Sequence, residues 1–172
     1  MREHVERSAG FAPLESVDAR TLILGSLPSR RSIECNEYYA HPRNAFWPIM
    51  ANLVAATGSY EERCKVLGRN QIAVWDVLAS SVRPGSLDSD IDLTTAEVND
   101  FTTFFAEHAA LERICFNGQA AAKIFRQRVA RHIVCSNLQM VTLPSTSPAH
   151  AAMNFEQKLE LWGLGTGLIP DR

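Results

Sequence analysis

Residues 38 to 44 bring two aromatic rings, an imidazole, a guanidinium and a carboxamide into one short stretch: Tyr38, Tyr39, His41, Arg43 and Asn44. Such groups stack on planar ligands, hold or relay protons, contact anions and hydrogen-bond to polar edges, which is the work of a binding or catalytic site. Three other places have similar character. Asp76 follows Ile72-Ala73-Val74-Trp75, Asn117-Gly118 follows Arg113-Ile114-Cys115-Phe116, and Pro144-Ser145-Thr146-Ser147-Pro148 follows Gln139-Met140-Val141-Thr142-Leu143. Each is the polar end of a short apolar run, and the 38–44 stretch itself follows Leu22-Ile23-Leu24 and the turn residues Gly25, Ser26 and Pro28.

The runs that carry these ends alternate with helical patterns. Thr21 to Ser26 reads as the first strand, and Phe46, Ile49, Met50, Leu53 and Val54 recur at three and four to mark a helix over about 45–56. Ser59 and Glu62 form a capping-box pattern for a short helix ending near Gly68. After the second strand, Ser80 to Asp92 has turn composition and reads as irregular. A second box, Thr94 to Glu97, predicts a helix with Val98, Phe101 and Phe105 on one face. A helix over 119–130 buries Ala121, Ile124, Phe125 and Val129, and a last one buries Phe155, Leu159 and Trp162. The expected fold is α/β: three α/β/α layers around a central four-stranded parallel sheet with right-handed crossovers. Parallel strands put all four polar ends along one edge, so residues far apart in sequence share one crevice. The chain is read as one domain over 1–172, with 1–11 as a mobile arm.

Composition excludes several classes. At 172 residues, 46% hydrophobic and 21% charged, the chain can bury a substantial core. No apolar run approaches the ~20 residues a membrane span needs, and the N-terminus lacks the layout of a signal peptide, so an intracellular, cytoplasmic protein is expected. A net charge of -2 argues against a nonspecific coat on nucleic acid but leaves room for a local basic face. Cys35, Cys64, Cys115 and Cys135 contain no C-x-x-C pair and read as free thiols rather than metal ligands. Phosphate-loop, dinucleotide, nucleophile-elbow and zinc-deaminase signatures are missing.

Gly25-Ser26-Leu27-Pro28 followed by Tyr39-Ala40-His41-Pro42-Arg43-Asn44-Ala45-Phe46-Trp47 resembles the first motif of the uracil-DNA glycosylase superfamily, and most of all its hypoxanthine (deoxyinosine) branch. The segments 114–118 and 143–149 match in order, and 85–91 also resembles that branch, so the likeness covers about residues 20–160.

The resemblance implies an enzyme that flips a deaminated base out of DNA and hydrolyses its N-glycosidic bond, with no cofactor or metal, leaving an abasic site. Hypoxanthine is the expected base and uracil the second. In that branch the asparagine of the H-P-R-N motif orients the water, which here is Asn44; other branches use an Asp or Asn inside the G-x-x-P motif, where this chain has Ser26 and Leu27. As a residue before a helical pattern, Asn44 also reads as an N-cap, and both roles can coexist. Base contacts are expected from Asn117, Tyr39, Ser26 and Phe46. Asn117 would pair with a lactam if neighbours fix its amide, and Tyr39 would stack, while Phe46 also fits the helix core. DNA contacts are expected from His41, Arg43, Ser145, Ser147, Pro148 and His150, with Pro148 among the residues pressing into the vacated space. Arg30 and Arg31 also belong to the first loop and could meet phosphates. Asp76 and Asp88 either line the pocket or cap helices, capping being preferred. Neither Lys65 nor Lys123 falls at a motif position, so a Schiff-base step is not expected. Ser29 stands where the family commonly has Gly, a departure that bears on the backbone path beside the base. A monomer acting on double- or single-stranded DNA is expected; the alternative is a noncatalytic DNA or nucleotide binding module on the same fold.

Overall fold

Short runs that are apolar on both faces pair in parallel only when a crossover returns the chain between them. The computed structural model, which describes residues 7–168, follows that rule. The chain runs β1 (Arg7–Ala9), β2 (Thr21–Gly25), α1 (Arg30–Cys35), α2 (Phe46–Val54), α3 (Tyr60–Arg69), β3 (Ile72–Asp76), β4 (Leu78–Val82), β5 (Asp92–Val98), α4 (Phe101–Glu107), β6 (Arg113–Asn117), α5 (Gln119–Arg128), β7 (Gln139–Leu143) and α6 (Phe155–Thr166). Four of the strands form the expected parallel sheet, in the order β3-β2-β6-β7.

Because strand side chains alternate, this sheet feeds two cores. Leu22, Leu24, Ala73, Trp75, Ile114 and Phe116 pack with α4 and α5 on one side. Ile23, Val74, Cys115 and Leu143 pack with α2, α3 and α6 on the other. The same parity carries Gly25, Asp76 and Asn117 to the α2 side at the C-terminal edge, where the apolar layer gives way to polar groups. Trp162 on α6 is fully buried, and its indole N–H donates to the Pro144 carbonyl at 2.9 Å, fixing the start of the loop after β7.

Three expectations are corrected. Residues read as irregular and then helical instead build a second, antiparallel sheet, β1-β4-β5. The Thr94–Glu97 spacing suits a cap, but Asp92 accepts from the Thr94 N–H, and the Thr95 hydroxyl accepts from the Val82 N–H across the ladder. Those bonds hold β-branched Thr94 and Thr95 extended, Val98 pairs with Leu78 on β4, and the helix begins only at Phe101, capped by Asp100 accepting from the Thr103 N–H. Helix α1, unforeseen, starts at Ser29, whose hydroxyl accepts from the Ser32 N–H. The segment read as an arm is held from Arg7 onward by pairing with β4, while residues 1–6 lie outside the described residues.

Replacing Trp162 by Ala removes a fully buried indole and the bond to Pro144, and is expected to cost about 3–5 kcal/mol in urea denaturation.

Candidate active site

The C-terminal edge of the sheet opens into a cavity of about 410 Å³, within the range of small-ligand sites. Its floor is the row Asp76, Gly25, Asn117. Gly25 is needed there: a Cβ would stand 2.5 Å from Asp76 Oδ1 and 3.2 Å from the Tyr39 hydroxyl, so both side chains converge over a residue without one.

Asn117 is 8% exposed and lines this space, which distinguishes it from a plain Asn-Gly turn residue. Its Oδ1 accepts from the Thr146 backbone N–H at 2.9 Å, and its Nδ2 donates to Thr146 Oγ1 at 2.9 Å. A backbone N–H can only donate, so the atom facing it must be the oxygen, and the amide cannot turn over. Oδ1 keeps one free lone pair and Nδ2 one free hydrogen. The Thr146 carbonyl in turn accepts from the Ala45 N–H at 2.9 Å, tying this loop to the start of α2.

On the opposite wall, Tyr39 adopts a left-handed backbone (φ 55). That conformation is uncommon for a large side chain. Its flanks are held by the Tyr38 N–H donating to the Tyr60 hydroxyl and the Ala40 N–H donating to Ser32 Oγ. The Tyr39 ring stacks on Phe46 at 4.1 Å between centroids. Burial raises the phenol pKa, with the nearby Asn117 amide opposing, so the hydroxyl stays protonated; it faces Asp76 and Asn117 without a hydrogen bond of normal geometry to either.

Asn44 lines the cavity, and its Oδ1 accepts from the Phe46 N–H at 2.9 Å. The side chain thus bonds to the first residue of α2, although the capping position itself is Ala45, which makes no side-chain bond. His41 lies beside it, with Nδ1 accepting from the Arg43 N–H at 3.1 Å.

A polar cluster closes the third side. Asp88 accepts from the Ser26 hydroxyl, and Arg83, almost fully buried, donates to the Leu27 and Pro28 carbonyls. Asp76 is 4% exposed, and its Oδ2 has no hydrogen-bond partner. Burial, and then the nearby Asp88 charge, push its pKa from 3.8 up to about 7, with Arg83 opposing. Asp76 and Asp88 therefore line the cavity rather than cap helices, because the sheet register points Asp76 into it and Ser26 holds Asp88 at its edge.

Of the residues expected from sequence, the fold brings Ser26, Tyr39, His41, Asn44, Asn117, Ser145, Ser147 and His150 to one cavity. Phe46, Arg43 and Pro148 do not line it. Phe46 has no exposed surface and acts behind Tyr39, so it touches no ligand; its place on the apolar stripe of α2 is the stronger signal. Arg43 is exposed and Pro148 half-buried, both outside the lining. Arg30 is engaged with the Pro84 carbonyl, and Arg31 pairs with Glu34 at 3.8 Å. Ser29 has φ -65, so a non-glycine residue fits there unstrained. Sequence reasoning missed Thr146 and Arg83. Thr146 had a signal: in an extended Ser-Thr-Ser run the middle side chain points opposite to its neighbours. Among the described residues no group of three or more His, Cys, Asp or Glu side chains is placed to hold a metal, and no helix is long and apolar enough to cross a membrane.

Comparison with known proteins agrees with this layout. The family described as the Uracil DNA glycosylase superfamily matches residues 12–163. A Methanosarcina acetivorans protein named Hypoxanthine DNA glycosylase is 38% identical over 117 residues, covering 66% of this chain and 73% of that protein. A Methanosarcina barkeri protein of the same name is 32% identical over 120 residues, covering 68% and 75%. The solution NMR structure of a Methanosarcina acetivorans protein described as a uracil DNA glycosylase superposes with a TM-score of 0.74 at 32% identity, covering 90% of this chain and 95% of that one.

Two stability measurements check the site. Asp76 binds its proton more tightly in the folded protein, so stability should fall as pH rises from about 4 to about 7, by at most about 1.4 kcal/mol per pH unit. Asp76→Asn should flatten that part of the profile in denaturant titrations. Thr146→Val strands Asn117 Nδ2 without its acceptor and should cost about 1–3 kcal/mol.

Proposed function

We propose, since the chain belongs to the uracil DNA glycosylase superfamily and is a DNA glycosylase, that it removes a deaminated base from DNA, hypoxanthine before uracil, as a monofunctional enzyme. The observation that carries this reading is the locked Asn117 amide. Hypoxanthine and uracil present a C=O beside an N–H; because both Thr146 bonds lie on the edge that the amide C=O and N–H share, Asn117 meets that lactam through one remaining group, Nδ2–H donating to the C=O or Oδ1 accepting from the N–H. A freely turning amide would accept adenine or cytosine equally well, whereas a locked one pairs with a single sense of edge. The two Methanosarcina relatives named Hypoxanthine DNA glycosylase support the choice of base.

The extruded nucleotide enters the cavity with its base against the Tyr39 face, which Phe46 backs. The bond from C1′ to the base breaks with its electron pair going to the base, leaving oxocarbenium character on the sugar. Asn44 Oδ1 has one lone pair taken by the Phe46 N–H and one left to accept from a water. That bond turns a water lone pair toward C1′ and replaces a general base with positioning. The water's proton leaves to solvent. Among the described residues no lysine lines the cavity, consistent with hydrolysis rather than strand cleavage. The loop at 145–150 presents the Ser145 and Ser147 hydroxyls at the cavity, where they can donate to the DNA backbone.

Base release from matched duplexes carrying one deoxyinosine or one deoxyuridine, read by alkaline cleavage at the abasic site, tests the assignment. Hypoxanthine release is expected to be the faster and to fall by at least ~100-fold in Asn44→Ala, with DNA binding retained. Release of uracil alone would move the substrate to the pyrimidine. Binding without release from either duplex would favour a noncatalytic module.

A further inference from the structure

Asp76 has no role in the mechanism above, yet it is a nearly buried carboxyl on the cavity floor with one oxygen unpaired. Unpaired buried polar atoms are rare and destabilising, and a functional role is one of the explanations such an atom calls for. The Tyr39 hydroxyl, also unpaired, converges on the same point above Gly25.

The register sets the span. Asp76 is the direct neighbour of Gly25 on β3, and Asn117 follows Phe116, the neighbour of Leu24, on β6. Parallel strands lie roughly 4.8 Å apart, so Asp76 and Asn117 flank Gly25 with their backbones about 10 Å from each other. A base that turns its carbonyl edge toward this row can offer its lactam N–H side to Asn117, and the ring position on the other side of the carbonyl then faces Asp76. In a pyrimidine that position is C5–H; in a purine it is N7, which carries an in-plane lone pair.

We infer that Asp76 is a specificity-determining residue for purines, its neutral carboxyl donating a hydrogen bond to N7 of the extruded base, with Tyr39 beside it. The inference rests on the cavity being a base pocket. An ionised carboxylate would oppose the N7 lone pair, so the contact requires the protonated acid. The surroundings favour that form: burial and the Asp88 charge act toward it, Arg83 acts against it, and Tyr39 and Tyr38 are kept neutral by burial. Asp90 and Arg30 act on Arg83 in opposite directions. No proton needs to be transferred. As the C1′–N9 bond breaks and its electron pair spreads into the purine, N7 becomes a better acceptor, so the bond is stronger in the transition state than in the ground state.

The test is single-turnover release from duplexes carrying deoxyinosine or 7-deaza-deoxyinosine, with wild type, Asp76→Ala and Asp76→Asn from pH 6 to 8.5. Replacing N7 by C–H should slow the wild type, and the slowing should be at least tenfold smaller in Asp76→Ala. The wild-type rate on deoxyinosine should fall about tenfold per pH unit above pH ~7. Asp76→Asn, whose amide cannot ionise, should be slower but lack that fall. Equal slowing by 7-deaza substitution in wild type and Asp76→Ala, or the same alkaline fall in Asp76→Asn, would overturn the inference. Should Asp76→Ala not fold, the Asp76→Asn profile alone decides. Failure of the wild type to release hypoxanthine at any pH would overturn instead the glycosylase reading on which this one stands.

Discussion

Thr146 holds the site together through three hydrogen bonds made in a place only 1% exposed. Its N–H and hydroxyl bracket the Asn117 amide, and its carbonyl accepts from Ala45, the residue between Asn44 and α2. One buried residue thus fixes the orientation of the side chain proposed to read the base and the position of the loop bearing the side chain proposed to hold the water. In a dry environment such bonds are strong when complete and expensive when broken, so neither group can drift without the other. The Trp162 bond to Pro144 and the Lys158 ammonium donating to the His150 carbonyl at 2.8 Å secure the two ends of the same loop against α6.

The parallel register supplies the rest. Strands that end in step place Asp76, Gly25 and Asn117 side by side on one face, and the glycine between them leaves room for the Asp76 carboxyl and the Tyr39 hydroxyl to converge. The aromatic wall follows from α2: its buried stripe carries Phe46, and Phe46 supports Tyr39, whose left-handed backbone turns the ring over the floor. Rigid packing behind, and polar groups in front, are what a site needs to hold one planar ligand in one pose.

Much of this is legible in the chain. Apolar runs ending in Gly25-Ser26, Asp76, Asn117-Gly118 and Pro144 announce a parallel sheet with its polar ends together, because burial on both faces leaves little choice of side chain. The second sheet is not legible. Its strands carry Ser80, Ser81, Thr94 and Thr95 where an apolar run would be expected, and the Ser81 and Thr95 hydroxyls bond across the ladder where a sequence reading sees only turn and cap formers. An acidic residue at a strand end commonly caps the next element, so Asp76 reads as a cap. The groups that act on its charge, Arg83 and Asp88, arrive from the segment that follows β3 and reads as irregular. The alternation of Ser145-Thr146-Ser147 sets Thr146 apart, but its partner, 29 positions away, is not legible in the chain.

The most direct measurement of the central claim is a crystal structure of the Asn44→Ala protein bound to a duplex with one deoxyinosine. Hypoxanthine should lie in the cavity against Tyr39, with one free group of Asn117, Oδ1 to N1–H or Nδ2–H to O6, within about 3.2 Å, and both Thr146 bonds intact. A base held outside the cavity, or an Asn117 amide turned over with its Thr146 bonds broken, would contradict it.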